Sequence, residues 1–112
     1  MEITFIPHGV VTVVQLVGEI DSGNVPSTQE KILTLAAPGA HIALDMTRVG
    51  YMSSAGLRML LTIYRSIAGQ GGKVVLVGLS ADLIDTMSMT GFLDFFSYFE
   101  NLDEGISALA TA

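Results

Sequence analysis

The stretch KVVLVGL, Lys73 to Leu79, constrains the fold more than any other. A strand that is apolar at successive positions has no face to give to water. Both faces need cover, and strands of that kind belong to sheets flanked by helices. The residues ahead of it supply one such cover. Leu57, Leu60, Leu61, Tyr64, Ile67 and Ala68 recur at the i, i+3, i+4, i+7 spacing of an apolar helical stripe, and GQGG then ends the helix. HIALDM, a short apolar run before that helix, reads as a second buried strand. This alternation of strand and helix predicts an α/β domain.

The flanks extend the pattern. ITF and VVTVVQLVG are β-branched runs parted by Pro7, His8 and Gly9, which predicts a hairpin or two neighbouring strands with the turn at those three residues. GEIDSGNVPS breaks the second strand. Asn24 stands as a cap and Pro26 in a first helical turn, and Val25, Ile32, Leu33 and Ala36 carry a helix toward Pro38 and Gly39. Farther on, Ser80 is placed to cap a short helix bearing Leu83, Ile84 and Met87, with Gly91 as its stop. FLDFFSYF is aromatic enough for a strand, and NLDEGISALA reads as a closing amphipathic helix. The expectation is one domain over residues 1–112, with a mixed sheet of four or five strands and about four helices packed on it.

Charge removes several classes of function. Charged residues are 14% of the chain, against roughly 25% in an average soluble domain, so part of the surface is weakly polar and suited to a partner. The net charge is −6, and all five cations (Lys31, Arg48, Arg58, Arg65, Lys73) precede Val74. No basic cluster exists to neutralise nucleic-acid phosphates, and an acidic surface repels anionic lipid. The chain has no cysteine, hence no disulfide, thiolate metal site or cysteine nucleophile. No run approaches the ~20 apolar residues of a membrane span, and MEITFIPHG lacks the regions of a signal peptide. A cytoplasmic protein without membrane insertion is expected.

YMSSAGLRML poses the functional question, because it sets two serines, Ser53 and Ser54, at a helix start. Either hydroxyl would satisfy a free backbone N–H there, for ~1 kcal/mol, but one cap needs one serine. A nucleophile is disfavoured. The stretch is not a G-x-S-x-G elbow, and the two histidines, His8 and His41, are expected in a turn and at the far end of the preceding strand. GQGGK lacks the spacing of a phosphate-binding loop and follows a helix rather than preceding one. Catalysis, a metal and a cofactor are therefore not expected of this chain. Arg58 and Arg65 share one helical face, either solvated or used for docking. Met52, Met59, Met87 and Met89 read as core or rim filling.

The ordered set LVGEIDSGNVP, IALDMTRVGYMSSAGLRML and GGKVVLVGL resembles the STAS domains of bacterial anti-sigma factor antagonists, from the first strand to the last helix. The resemblance places the family's phospho-acceptor on Ser54. It places the acidic residue of the neighbouring loop on Asp21 and the strand-end aspartate on Asp45. Many members carry Asp immediately before the acceptor, where this chain has Ser53, so Ser53 stands as the alternative acceptor. The implied function is a binding module that holds a serine kinase/anti-sigma factor of the GHKL type when unmodified, releases it once Ser54 is phosphorylated, and is reset by a phosphatase. ATP and Mg²⁺ belong to the kinase. The implied partner surface comprises Asp21, Ser22, Gly23 and Asn24 with Ser53, Ser54, Gly56 and Arg58. The alternative is a structural STAS subunit of a larger complex, such as a lipid-transport ATPase assembly.

Overall fold

The computed structural model describes residues 1–111. Its elements in chain order are β1 (Glu2–His8), β2 (Val11–Val17), α1 (Val25–Leu33), β3 (His41–Arg48), α2 (Ser54–Ala68), β4 (Lys73–Val77), α3 (Ala81–Met89), β5 (Ser97–Phe99) and α4 (Leu102–Ala110). A single turn of 3-10 helix, Phe92–Phe95, leads into β5. The five strands lie side by side in the order in which they occur in the chain. β1 and β2 form an antiparallel hairpin, and β2, β3, β4 and β5 run parallel. The α/β class and the mixed sheet are those expected from the pattern of apolar runs.

The alternation of side chains along each strand divides the core into two. Val14, Leu16, Ile42, Leu44, Met46, Val74 and Leu76 face one side and pack with Ile32 of α1, Leu83 and Met87 of α3, and Leu57, Leu60, Ile63 and Ile67 of α2. Val11, Val13, Ala43, Val75 and Val77 face the other side and meet Ile106 and Leu109 of α4. Val74 to Val77 are all buried, as a strand covered on both faces requires. Full burial of a leucine or isoleucine stabilises by about 1.5–3 kcal/mol, so the stripe on α2 alone makes that helix part of the folding unit.

Three local expectations are corrected. The hairpin turn sits at Gly9 and Val10, and Pro7 and His8 belong to β1. Pro7 is tolerated there because β1 is an edge strand, with one side free of ladder hydrogen bonds. FLDFFSYF is not one strand: Phe92–Phe95 is a 3-10 turn and only Ser97–Phe99 is β. Its aromatic residues serve packing, with the Tyr64 ring 6.1 Å from Phe95 and 5.4 Å, edge-on, from Phe96. Met89, the last residue of α3, is 87% exposed rather than core or rim, while Met52, Met59 and Met87 are buried. Leu83 and Met87 are four apart and share the buried face, and Met89 points away from it at 100° per residue.

One buried group is left without a partner. Thr28, 1% exposed, shares the inner face of α1 with Ile32, and its Oγ1 has no hydrogen-bond partner among the described residues. An unsatisfied buried hydroxyl carries a desolvation penalty of about 1–3 kcal/mol, and valine has nearly the same shape. Thr28→Val is therefore expected to raise the unfolding free energy by about 1 kcal/mol in denaturant titrations. An unchanged or lower value would mean the hydroxyl is satisfied in solution.

Candidate functional site

Because β2 and β3 are parallel neighbours, the loops that leave their C-terminal ends run side by side. Three backbone hydrogen bonds lace them together: Gly18 N–H to Arg48 O at 3.2 Å, Ile20 N–H to Tyr51 O at 3.0 Å, and Ser53 N–H to Ile20 O at 2.9 Å. Ile20 and Met52 form an isolated parallel bridge. Asp21 and Ser54 each follow one partner of the Ile20–Ser53 bond. In the sequence only the family resemblance implied that the two are neighbours; no spacing along the chain does.

The first loop holds its shape through its own side chains. Asp21 Oδ1 accepts from the N–H groups of Gly23 (2.9 Å) and Asn24 (3.1 Å). Asn24 Oδ1 accepts from Asp21 N–H at 3.0 Å, and Asn24 Nδ2 donates to Glu19 O at 2.7 Å. Asn24 occupies the cap position of α1, but its side chain makes no capping bond, because that side chain is committed to the loop behind it. Pro26 lies in the first turn of α1, as expected. Asp21, Ser22 and Gly23 are exposed and Asn24 is half-buried, so a rigid acidic knuckle stands beside the start of α2.

The second loop begins with a bulge. Gln15 pairs with Asp45 and Val17 with Arg48, so β3 spends one residue more than β2 over this step. Asp45 Oδ1 accepts from Thr47 N–H at 3.1 Å and from Thr47 Oγ1 at 2.6 Å across the bulge. Gly78, at φ +72, lies against the same Thr47, whose Oγ1 would overlap any β-carbon placed there. Asp45 thus shapes the exit of β3. It is not at the strand's end, since β3 runs on to Arg48.

The two serines have different tasks. Ser53 is the residue before α2, in extended conformation, and its Oγ accepts from Gly56 N–H at 3.3 Å. Ser54 is the first residue of the helix and is exposed. Gly56 is buried rather than part of any contact surface. A β-carbon there would overlap Met52 Cγ and come within 2.8 Å of Ile20 Cγ2, so only glycine lets α2 close onto the Ile20 loop. Ser54→Asp is expected to shift the unfolding free energy by no more than about 1 kcal/mol, the scale of cap and dipole terms. A loss of several kcal/mol in denaturant melts would mean that the side chain is buried.

A groove of about 490 Å³ opens next to the serines, lined by Tyr51, Ser53, Ser54, Leu57 and Arg58 on one side and Thr86, Thr90 and Phe92 on the other. Tyr51 is 52% exposed. The contribution of α3 to this site was not legible in the sequence, because Thr86 and Thr90 carry no motif and arrive only through helix packing. The histidines lie elsewhere. His8 pairs with Val11, and Val11 with His41, at the end of the sheet away from Ser54. Among the described residues no group of three or more His, Asp or Glu is placed to hold a metal ion. No helix among them is long and apolar enough to cross a membrane.

Comparison with known proteins identifies the family and the fold. The STAS domain profile matches residues 3–105. The anti-sigma-B factor antagonist of Bacillus subtilis strain 168 is 32% identical over 93 residues, covering 83% of this chain and 85% of its own. Two solved structures share the fold. An anti-sigma factor antagonist from Mycobacterium paratuberculosis has a TM-score of 0.87 at 24% identity, over 97% of this chain and 93% of its own. The Bacillus cell fate determinant SpoIIAA, in its phosphorylated form, has a TM-score of 0.72 at 22% identity, over 96% and 98%. With a profile match along nearly its whole length and a relative at 32% identity, the chain belongs to the STAS domain family, alongside the anti-sigma factor antagonists.

Proposed function

We propose that this protein is an anti-sigma factor antagonist that acts as a phosphorylation-switched binding module in the cytoplasm. Unmodified, it binds a serine kinase/anti-sigma factor with a GHKL-type ATP-binding fold. The kinase moves the γ-phosphoryl group of ATP to Ser54 Oγ, with ADP as the leaving group and the hydroxyl proton taken up on the kinase. The modified protein then lets go, and a phosphatase removes the phosphate. The protein itself performs no chemistry and holds no cofactor. The observation that carries this reading is the division of labour between the serines: Ser53 is occupied as the cap, which leaves Ser54 exposed beside the Asp21–Asn24 loop. The B. subtilis relative is named as an antagonist of this kind, and SpoIIAA, of the same fold, exists in a phosphorylated form.

Charge explains why a surface serine suffices. A phosphoserine brings about −1.5 to −2 charges at neutral pH. At a helix N-terminus it is favoured by roughly 0.3–1 kcal/mol, so the fold tolerates it. Two such charges ~4 Å from one partner carboxylate cost ~2 kcal/mol even in bulk water, a loss of more than tenfold in affinity. Beyond the Debye length of ~8 Å the charge is screened. Partner contact is therefore centred on Asp21 to Asn24 and on Ser53, Ser54 and Arg58.

The test is a calorimetric titration with the cognate kinase, with and without ATP. Wild type is expected to lose more than tenfold in affinity once phosphorylated, and Ser54→Ala is expected to stay bound. Equal retention of the two under phosphorylating conditions would sink the switch in favour of a structural STAS subunit of a larger assembly.

A further inference from the structure

Arg58 stands one helical turn after Ser54. Residues four apart on a helix have neighbouring β-carbons, and side chains lean toward the helix N-terminus, so the Arg58 side chain is directed back over the turn that begins with Ser54. Both residues are exposed and line the same groove. Among the described residues that line it, Arg58 is the one cation. The other charged groups on the elements around it are Glu19 and Asp21 on the β2–α1 loop, Asp45 and Arg48 toward the end of β3, Asp82 and Asp85 on α3, and Asp94 on the 3-10 turn after it; Tyr51 is titratable and lies ahead of α2. Arg65, the next arginine on the helix, is 11 residues from Ser54, about 16 Å along the axis at 1.5 Å per residue.

Taking Ser54 as the acceptor, as proposed above, we propose that Arg58 is the positioning residue for the phosphate, pairing with it within the same helix. A guanidinium forms two parallel N–H···O bonds to phosphate oxygens, and its charge is permanent. In the unmodified protein Arg58 is free to meet the partner. After modification it is drawn onto the phosphate, so one event adds an anion and withdraws a cation from the docking surface. The phosphate oxygens are then held across the mouth of the groove between α2 and α3 rather than swinging in solvent.

The experiment uses protein in which phosphoserine is installed at position 54 during synthesis, so it does not depend on any kinase. The readout is the ³¹P resonance followed through the second ionisation of the phosphate, which lies near pH 6 when unperturbed. Loss of one nearby unit charge weakens the dianion relative to the monoanion, so Arg58→Gln is expected to raise that ionisation by about half a unit to one unit. Arg58→Lys, which keeps the charge without the fork, is expected to fall between. Arg65→Gln, which removes the same charge farther along the helix, is expected to titrate like wild type. The helix dipole acts equally in all four proteins and cancels. Identical titrations for wild type and Arg58→Gln would overturn the pairing, and so would an equal rise in Arg65→Gln, since that reports the overall field. Failure of a kinase to modify Ser54 would count against the switch and leave this measurement intact.

Discussion

Ser54→Ala is expected to take up no phosphate from the cognate kinase and ATP, whereas wild type and Ser53→Ala each take up one per chain. Phosphoryl transfer is largely a matter of positioning, with the attacking oxygen in line with the γ-phosphorus. Ser54 is exposed at the first position of α2 and able to enter a kinase site. Ser53 is only partly exposed, and its Oγ is already turned inward to Gly56 N–H. To present that oxygen the helix would have to give up its cap, a loss of ~1 kcal/mol before any contact with the kinase. The same argument gives Ser53→Ala its own signature: normal labelling, but a protein about 1 kcal/mol less stable. Mass spectrometry of the labelled proteins together with denaturant melts separates the two serines. Labelling that survives in Ser54→Ala and disappears in Ser53→Ala would transfer the acceptor to Ser53.

Gly56→Ala tests the architecture beneath the site, and its sign is what matters. On helix propensity alone, alanine within α2 would stabilise by roughly 1 kcal/mol. The packing predicts the reverse. The added methyl overlaps Met52 and presses on Ile20, which is fully buried, where α2 meets the β2–α1 loop. Overpacking of this kind costs about 1–3 kcal/mol. The expected outcome is a net loss of about 1–2 kcal/mol in unfolding free energy, with weaker kinase binding because the Asp21 loop is pushed from Ser54. Gly56→Ala as stable as wild type would mean that Met52 swings clear, and that the close approach is not a requirement of the site.

Much of the fold is legible in the amino-acid sequence, and the reasons are local. Val74 to Val77 cannot face water on either side, whatever the rest of the chain does. The α2 stripe and the glycines after it mark a helix and its end by periodicity and turn chemistry. Ser80 and Gly91 bracket α3 as their residue types suggest, with Ser80 Oγ accepting from Leu83 N–H at 3.2 Å. The misreadings arose where tertiary packing outweighed local preference. The aromatic run after Gly91 looks like a strand by composition, but Tyr64 draws Phe95 and Phe96 onto α2 and leaves only Ser97–Phe99 to pair with β4. Asn24 has a capping side chain and a capping position, yet its amide bonds to Asp21 and Glu19 instead.

The site divides along the same line. The amino-acid sequence by itself determined that two hydroxyls stand at the head of an amphipathic helix, that no histidine accompanies them on nearby chain, and that an acidic turn precedes another helix some thirty residues earlier. Each of these follows from spacing along one stretch of chain. Tertiary structure decided which serine is the cap, that Asp21 lies next to Ser54, and that α3 forms the far wall of the groove. The second follows from β2 and β3 being parallel neighbours, whose loops leave the sheet at the same end, and from a glycine small enough to let α2 settle onto Ile20; the third follows from the packing of Leu83 and Met87 against the α2 side of the core. Strand adjacency is set by how the whole core packs, and no local stretch encodes it.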